Sequence, residues 1–407
     1  MGAFKRGNRG GGRVPFAVLA ISFLEQAAFI TLFLFLTQKH LPEHSSLGVA
    51  FAGFVIAAFV LTKLAAQGPA GWAADRIGYR SALVIGLSAT VIASVLMMQA
   101  QQSWLFLAAT GLYALGKAPV SPSLNATVAN LVSEDHRGKA VSFLNIAGLS
   151  AMIAAGLGGF LLLDWMTVRA AFAISIALSI CAVLVALFFV QETSVLATAG
   201  ADGRRRDRTP LRELVTVQVS SWAGIVLLLG MGMGIMMPMA RPYFHDELGM
   251  RSHEMVPYLI LPGIVAVASI IPCGHLADRL WRMRPLALGL SVGVAGLFGL
   301  TVTTSLFAIM GLISLIMLSW TMTSPAVGAA LMDVTREETR GMTLGLLGTV
   351  QGLGGAFGPA LGGGIYQVAG AQQVFMVAGC LLGAALLLAA FYVARQRPTL
   401  ALHPSPA

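Results

Sequence analysis

Twelve apolar runs, each about 20 residues long or longer, constrain the fold of this chain more than any other feature of its sequence. A helix needs about 20 apolar residues to cross the hydrocarbon core of a bilayer, which is about 30 Å thick. Hydrophobic residues make up 57% of the chain and charged residues 11%, whereas soluble domains carry about 25% charged residues. The sequence therefore predicts an all-α membrane protein with twelve transmembrane helices.

The predicted spans are numbered in chain order, and their ends follow the limits of the apolar runs. They cover 14–38, 47–70, 81–100, 104–132, 140–163, 170–190, 216–243, 254–277, 285–303, 305–333, 342–367 and 373–394. The links after spans 3 and 9 are very short, which predicts a tight helical hairpin at each of these places.

The positions of the basic residues predict the topology. Of the 26 lysines and arginines, two lie inside spans and four lie at span ends that face outward if the N-terminus is cytoplasmic. The remaining 20 then lie on the cytoplasmic side, which is the side that lysine and arginine favour. We therefore predict a multi-pass protein of the plasma (inner) membrane with both termini cytoplasmic. The net charge of +9 reflects this asymmetry and requires no nucleic-acid partner.

One long hydrophilic segment divides six spans from six. It covers 192–213, lacks hydrophobic periodicity, and carries glycine, proline and a basic run, all typical of a flexible cytoplasmic linker. The predicted domains are an N-terminal six-helix bundle at 1–191, this linker, a C-terminal six-helix bundle at 214–394 and a disordered cytoplasmic tail at 395–407.

Part of the sequence recurs after 203 residues. GWAADRIGYR at 71–80 returns as GHLADRLWRMR at 274–284. In the same register, SPSLNATVANLVSEDHRG at 121–138 aligns with SPAVGAALMDVTREETRG at 324–341. One register shared by two separated segments indicates two related halves. Internal repeats of this kind are typical of secondary transporters.

The segment GWAADRIGYR resembles the signature G-x-x-x-D-R-x-G-R-R/K of the major facilitator superfamily, with Tyr79 replacing the first of the final basic pair. The second copy is degenerate, because Trp281 replaces its second glycine. The resemblance covers nearly the whole chain. It implies two pseudo-symmetric six-helix bundles around a central cavity that opens to each side in turn, with spans 1, 4, 7 and 10 lining that cavity.

The resemblance also implies a gating role for the signature residues. In the family, the aspartate of this segment closes the cytoplasmic side by contacting the other bundle, so that Asp75 would face the start of span 11 near Gly341 and Met342. The alternative is a short loop whose arginines only fix the topology. The predicted gating residues are Gly71, Asp75, Arg76, Gly78, Arg80, Asp278 and Arg279.

Three ionisable residues lie deep inside spans, where charges are costly and therefore mark candidate functional sites. Glu25 in span 1 and Lys117 in span 4 fall near mid-membrane, and Lys63 in span 2 lies nearer the cytoplasm. Glu25 either carries a proton or forms a structural ion pair with one lysine, and the sequence does not choose between these roles. Two cations against one carboxylate leave a positive site that would attract an anionic or zwitterionic substrate.

The second half offers different candidate cavity residues. Trp320 occupies the repeat position of Lys117, and Thr321 beside it either binds a ligand or bonds back to its own helix. Met233 and Met237 are predicted to share one face of span 7. They form either a Cu(I) pair, as in some copper importers of the superfamily, or a flexible apolar wall.

Glycine and proline residues predict where helices pack closely and where they bend. GLGGAFGPALGGG at 352–364 carries small residues that let helices approach closely. It resembles the glycine-proline motif that drug antiporters of the superfamily carry in span 5, although here it lies in span 11. Pro119, Pro122 and Pro325 predict bends in spans 4 and 10. Arg241, at the outer end of span 7 near two acidic residues, predicts an outer gate or a structural ion pair.

These features favour a secondary active transporter that moves a small organic or amphipathic molecule by alternating access, with proton-coupled efflux as the first expectation. The alternatives are an importer of a small organic anion, a Cu(I) transporter and a non-transporting membrane receptor. The sequence shows no nucleotide-binding loop, no nucleophile with a base and no three-ligand metal cluster, so we predict no enzyme activity, no cofactor and no resident metal. The predicted partners of a monomeric chain are the substrate, a proton and the lipid bilayer.

Overall fold

A computed structural model describes residues 16–41, 48–100, 102–131, 137–190, 217–279, 283–334 and 340–400. All regular elements within these residues are helical. Ten helical segments among them are long and apolar enough to cross a membrane. Each of the twelve predicted spans corresponds to helical structure, so the predicted all-α class is confirmed.

The helices follow the predicted spans, and the largest differences fall at the ends of spans 2 and 12. In chain order the spans are Phe16–Phe35 with the π-helical turn Leu36–His40, Gly48–Ile77, Tyr79–Gln99, Ser103–Lys117 with Val120–Leu131, Arg137–Leu162, Val168–Phe189, Val217–Gly234 with the short helical turns Met237–Met239, Ala240–Pro242 and Tyr243–Glu247, Ser252–Arg279, Met283–Val302, Leu306–Val334, Arg340–Ala369 and Ala371–Leu400.

Spans 4 and 11 are the two that fall outside the ten long apolar segments. Span 4 is divided between Lys117 and Val120, because Pro119 lacks the N–H that would continue the helical ladder. Span 11 is a continuous helix that passes Pro359, and its many glycines lower its mean hydropathy. Pro325 also lies inside a continuous helix, so that proline causes no break in span 10.

The signature segment, for which a short loop was one alternative, is largely helical. Gly71 to Ile77 form the last two turns of span 2, because alanine and arginine favour the helix. The chain reverses at Gly78, whose φ of 92° suits glycine. A Cβ added at Gly71 would meet nothing within 4 Å. No described residue therefore requires a glycine at position 71, and the conformational need for glycine falls on Gly78.

The last span is longer than its apolar run. Its helix extends to Leu400 and so includes the first residues of the segment that we predict to be a disordered tail. Residues 401–407 lie outside the described residues, as does the whole predicted linker at 192–213.

The described chain forms two compact units. Unit 1 comprises the described residues of Met1–Phe35, Thr62–Gly159 and Met166–Arg204. Unit 2 comprises those of Leu36–Leu61, Phe160–Trp165 and Arg205–Ala407, and so takes in parts of spans 1, 2 and 5 that the sequence assigns to the N-terminal bundle.

Each unit has its own apolar core. In unit 1, the buried residues Ile21, Leu83 and Leu87 pack with side chains of spans 4, 5 and 6. In unit 2, a larger core includes Trp222 of span 7 and Phe375 of span 12. These cores fix the helices on which the polar residues described below are placed.

Span 11 carries a glycine at every fourth position where it packs on span 7. A Cβ placed on Gly358 would lie 2.6 Å from the carbonyl oxygen of Met231 and 2.9 Å from the backbone nitrogen of Ile235. Gly354 and Gly362 face the backbone of span 7 in the same way. This part of the glycine-rich segment therefore lets two helix backbones come into contact, as small residues do in membrane helices.

We expect Gly358→Ala to lower the free energy of unfolding by about 1–3 kcal/mol, the usual cost of overpacking a tight interface. The added methyl group would meet backbone atoms, which cannot move without shifting a helix. Gly348→Ala in the same helix is the matched control, because its Cβ would meet nothing within 4 Å. That variant should be as stable as the wild type or more stable. Unfolding in detergent checks both, and equal effects of the two would contradict this packing.

Candidate functional site

The three intramembrane charges line one cavity of unit 1. The cavity has a volume of about 370 Å³ and lies among spans 1, 2, 4 and 5. Eight of its lining residues are polar or charged: Ser22, Glu25, Gln26, Lys63, Lys117, Ser121, Asn125 and Asn145. Valine, leucine, methionine and glycine supply the rest of the wall. The structure thus brings together three residues that the sequence could only assign to separate spans.

Glu25 and Lys117 form a buried ion pair across spans 1 and 4. The Lys117 ammonium contacts Oε1 of Glu25, and the two side chains are 6% (Lys117) and 12% (Glu25) exposed. The same ammonium lies 4.4 Å from the ring centroid of Phe29, one turn beyond Glu25 in span 1. A cation over an aromatic face gains further attraction. Of the two roles predicted for Glu25, the structural ion pair is the one for which the structure contains a contact, namely that with Lys117.

An aromatic cluster adjoins this ion pair. The ring of Phe29 lies 4.6 Å from Phe33 and 6.1 Å from Tyr113, and Tyr113 is buried. Apolar surroundings exclude water and so strengthen an ion pair electrostatically, but they also make an unpaired charge costly. The cluster therefore makes the pairing of Lys117 more important than it would be at a wet surface.

Lys63 differs from Lys117 in having no bonding partner within the described part of the chain. It is half-buried, and it makes no hydrogen bond or ion pair with any residue that the structure describes. It lies close enough to Lys117 for the two positive charges to repel each other. The described wall of the cavity therefore holds two cations and one carboxylate.

The local fold explains how span 4 presents its polar groups. Lys117 is the last residue of the first helix segment, where a cation also interacts favourably with the helix dipole. Ser121 and Asn125 follow at intervals of four, and both line the cavity. Sequence reasoning missed these two residues, although their spacing from Lys117 was the signal that could have found them.

The predicted site residues of the second half belong to unit 2. The Thr321 hydroxyl lies 2.7 Å from that of Ser269 and bonds back to the Leu318 carbonyl at 2.9 Å, which is the second of the two roles predicted for it. The indole of Trp320 is 39% exposed.

The methionine pair of span 7 is not arranged as predicted. Met233 is half-buried against the core of unit 2, whereas Met237 is exposed. The helix ends at Gly234, between the two residues, so the prediction that they share one helix face is wrong. Pro238 lacks the N–H that a continuing helix would need, which explains why the helix ends here.

The signature residues make local contacts within unit 1. The Tyr79 hydroxyl donates to Oδ1 of Asp75 at 2.9 Å, and the guanidinium of Arg76 lies 3.8 Å from the ring centroid of Trp72. Arg80 donates to the Leu187 carbonyl of span 6 at 2.5 Å. The backbone of Asp278 and Arg279 is helical, and their side chains lie outside the described residues, as do those of Gly341 and Met342. The gating role of these residues stays a prediction.

A polar cluster in unit 2 joins four segments, and we name it the Arg241 cluster: Gln38, Asp164, Arg241, Ser252 and His253. Gln38, Arg241 and Ser252 are buried, whereas Asp164 is exposed. The Arg241 backbone N–H donates to Oε1 of Gln38 at 2.9 Å, and its guanidinium donates to the Gln38 carbonyl at 3.0 Å. The guanidinium also donates to the Ser252 hydroxyl at 3.3 Å. Arg241 was predicted as a gate or ion-pair residue near the acidic residues that follow it, but these partners were not foreseen.

Gln38 and Arg241 are separated by 203 residues, which is the offset of the sequence repeat. They therefore occupy equivalent positions in the two halves. The sequence analysis did not predict the contact between them.

Asp164 caps the first turn of span 8. Its carboxylate accepts hydrogen bonds from the Ser252 N–H at 2.6 Å and the Ser252 hydroxyl at 2.7 Å, and it lies 3.6 Å from Nδ1 of His253. Burial by itself raises the pKa of this carboxyl, but the two bonds from Ser252 and the charge of Arg241 outweigh burial and hold the pKa below its usual value.

Because its pKa is lowered in the folded protein, the ionised Asp164 stabilises the fold at pH values above the usual carboxyl pKa of about 3.9. This stabilisation is lost as the pH falls through the lowered pKa of the folded protein. We expect Asp164→Asn to cost about 0.5–1 kcal/mol near neutral pH, because solvent screens the charge of this exposed carboxylate. Its deficit relative to wild type should shrink below about pH 4. Unfolding midpoints over this range check it, with His253→Gln as the background that removes the imidazole. A deficit that is independent of pH would contradict the charge argument.

Comparison with known proteins gives one consistent result. The sequence profile described as Major Facilitator Superfamily matches residues 18–324 and 307–406. Multidrug resistance protein 2 of Bacillus subtilis is 22% identical over 358 residues, which cover 86% of this chain and 88% of that protein. Multidrug resistance protein MdtG of Citrobacter koseri is 26% identical over 395 residues, which cover 93% of this chain and 94% of that protein.

Solved structures share the fold. A bacterial homolog to the human lysosomal transporter Spinster, in an inward-facing and unoccupied conformation, has a TM-score of 0.72 at 16% identity, with 97% of this chain and 100% of that chain covered. The human organic anion transporter MFSD10 has a TM-score of 0.65 at 18% identity, with 93% and 100% covered. The resemblance and the twelve-helix fold predicted from the sequence are confirmed. The chain therefore belongs to the Major Facilitator Superfamily, and it is a multi-pass secondary transporter and not an enzyme.

Proposed function

We propose that this transporter exports small amphipathic organic molecules across the plasma membrane, using the proton gradient and alternating access. The observation that carries the proposal is the ion pair of Glu25 and Lys117 in the wall of a cavity within the spans. Intramembrane carboxylates mark proton pathways in transporters. The multidrug resistance relatives, which align with about nine-tenths of this chain, support export of organic molecules.

In this proposal Glu25 alternates between two states. When it is ionised, it neutralises Lys117; when it is protonated, it releases the Lys117 ammonium to the cavity. The cavity charge therefore changes by one unit with each proton, which couples proton binding to the binding of any charged ligand. Asp75 and the rest of the signature segment would close the cytoplasmic side, and the Arg241 cluster would close the outer side.

A specific observation favours a second candidate, which is import of a small organic anion. Lys63 has no partner among the described residues, so the cavity carries more positive than negative charge. An anion that enters would favour protonation of Glu25, and an anion and a proton that bind together would move in the same direction. The Cu(I) alternative loses its geometric basis, because Met233 and Met237 do not share a helix.

Flux in inside-out membrane vesicles tests the proposal and its direction. Vesicles with an acidified interior are given ethidium as a cationic probe and fluorescein as an anionic probe. Proton-driven accumulation of either dye inside the vesicles supports export, whereas proton-dependent release supports import. Binding of a probe without flux would support the receptor alternative and overturn both transport candidates.

A further inference from the structure

Among the described residues, the lining of the cavity in unit 1 carries one more positive charge than negative charge. Glu25, Lys63 and Lys117 are the only charged side chains among its described lining residues. Because Glu25 is already in contact with Lys117, the unbalanced cation is Lys63. A half-buried ammonium within a membrane span is costly unless something compensates it. The missing charge is therefore expected from a ligand.

The uncharged polar groups of the same lining suit an anion. Asn125, Asn145 and Gln26 carry amide N–H donors, and Ser22 and Ser121 carry hydroxyls. An anionic oxygen accepts several such bonds, and charge-assisted hydrogen bonds are stronger than neutral ones. The polar lining of the cavity, which includes Lys63, can therefore hold a carboxylate or sulfonate by an ion pair and additional hydrogen bonds.

The remaining wall suits an apolar body. Val120, Leu124, Leu144, Leu149 and Met152 line the same cavity. Its volume of about 370 Å³ lies near the lower end of the range for small-molecule pockets, about 300–1,000 Å³. The ligand that fits both parts is a small molecule with one anionic group and one hydrocarbon or aromatic part.

We propose that this cavity binds small amphipathic organic anions, with Lys63 as the ammonium that pairs with the anionic group. While Glu25 is ionised, the Lys117 ammonium stays in contact with Glu25 and Phe29, and Lys63 is the cation left for the ligand. This proposal rests on the transport function proposed above and names its substrate class. Its test measures binding alone, so the result does not depend on the direction of transport.

Three probes of similar shape test the charge preference: phenylacetate, phenylethanol and phenethylammonium. Each is titrated into purified full-length protein in neutral detergent at constant ionic strength, and affinity is measured by calorimetry. We expect phenylacetate to bind at least about tenfold more tightly than the other two, which is about 1.4 kcal/mol. Equal affinities, or no measurable binding of phenylacetate, would overturn the proposal.

Variants test the role of Lys63. Lys63→Gln should lose the preference for phenylacetate, and Lys63→Arg should keep it, because arginine also pairs with carboxylates. Lys39→Gln is the matched control, since it removes the same charge from a lysine that bonds to the Leu163 carbonyl instead. Unfolding midpoints show whether each variant is folded. A Lys63→Gln variant that binds like the wild type would refute the assignment.

Failure of the vesicle flux test would leave this binding result standing, so the two proposals fail separately.

Discussion

Lys117→Ala is expected to lower the free energy of unfolding by about 3–5 kcal/mol, the range found when one partner of a buried ion pair is removed. The remaining Glu25 carboxylate is only 12% exposed and would lose the one cation that contacts it. Transport should fall to background, because Glu25 would lose its ion-pair partner and the described wall of the cavity would lose its excess positive charge. Chemical or thermal unfolding in detergent measures the first effect, and flux in proteoliposomes measures the second.

A double variant separates charge from packing. Glu25→Gln with Lys117→Met removes both charges while keeping similar side-chain volumes, and replacing a whole buried pair is often close to neutral for stability. We expect it to recover most of the lost stability without recovering transport. If the double variant were as unstable as Lys117→Ala, loss of the contact with Phe29 would explain the effect better than charge. Unchanged transport of every anionic probe by Lys117→Ala would refute the functional role of this lysine.

Asp75→Asn is expected to abolish transport while leaving the amount of protein in the membrane and its unfolding midpoint unchanged. The substitution keeps the size of the side chain and removes its charge at an exposed position near the turn at Gly78. A gating role needs the charge, because a carboxylate accepts stronger hydrogen bonds than an amide does. Flux per folded molecule in proteoliposomes is the measurement.

Tyr79→Phe is the matched control for this variant. It removes the hydroxyl that donates to Asp75 at 2.9 Å, but it leaves the carboxylate in place. If Asp75 acts as a gate, Tyr79→Phe should retain most of the transport activity. Loss of transport in both variants would mean that the local contact is what matters. Normal flux in Asp75→Asn would refute the gate.

The positions of the helices could be predicted from the sequence because apolar runs report directly on membrane spans. The residues at which the helices end were harder to predict. Span 2 continues to Ile77 through a polar segment, since helix propensity persists after hydrophobicity ends. The Lys117 position could also be predicted, because a lysine in an apolar run has few tolerable environments.

The partners of those residues could not be predicted in the same way. The pairing of Glu25 with Lys117 and the contact of Gln38 with Arg241 join segments far apart in sequence. Such contacts depend on how helices rotate about their axes, which periodicity alone defines poorly. Asp164 was missed for a further reason: it lies in a short loop, outside the spans in which charges attract attention.

The central claim is that Glu25 couples the cavity to the proton gradient. The most direct measurement is substrate flux in proteoliposomes under an imposed pH gradient, compared between wild type and Glu25→Gln. Wild type should accumulate substrate against its gradient, whereas Glu25→Gln should catalyse exchange of labelled for unlabelled substrate without accumulation. Accumulation by Glu25→Gln that equals that of the wild type would contradict the account.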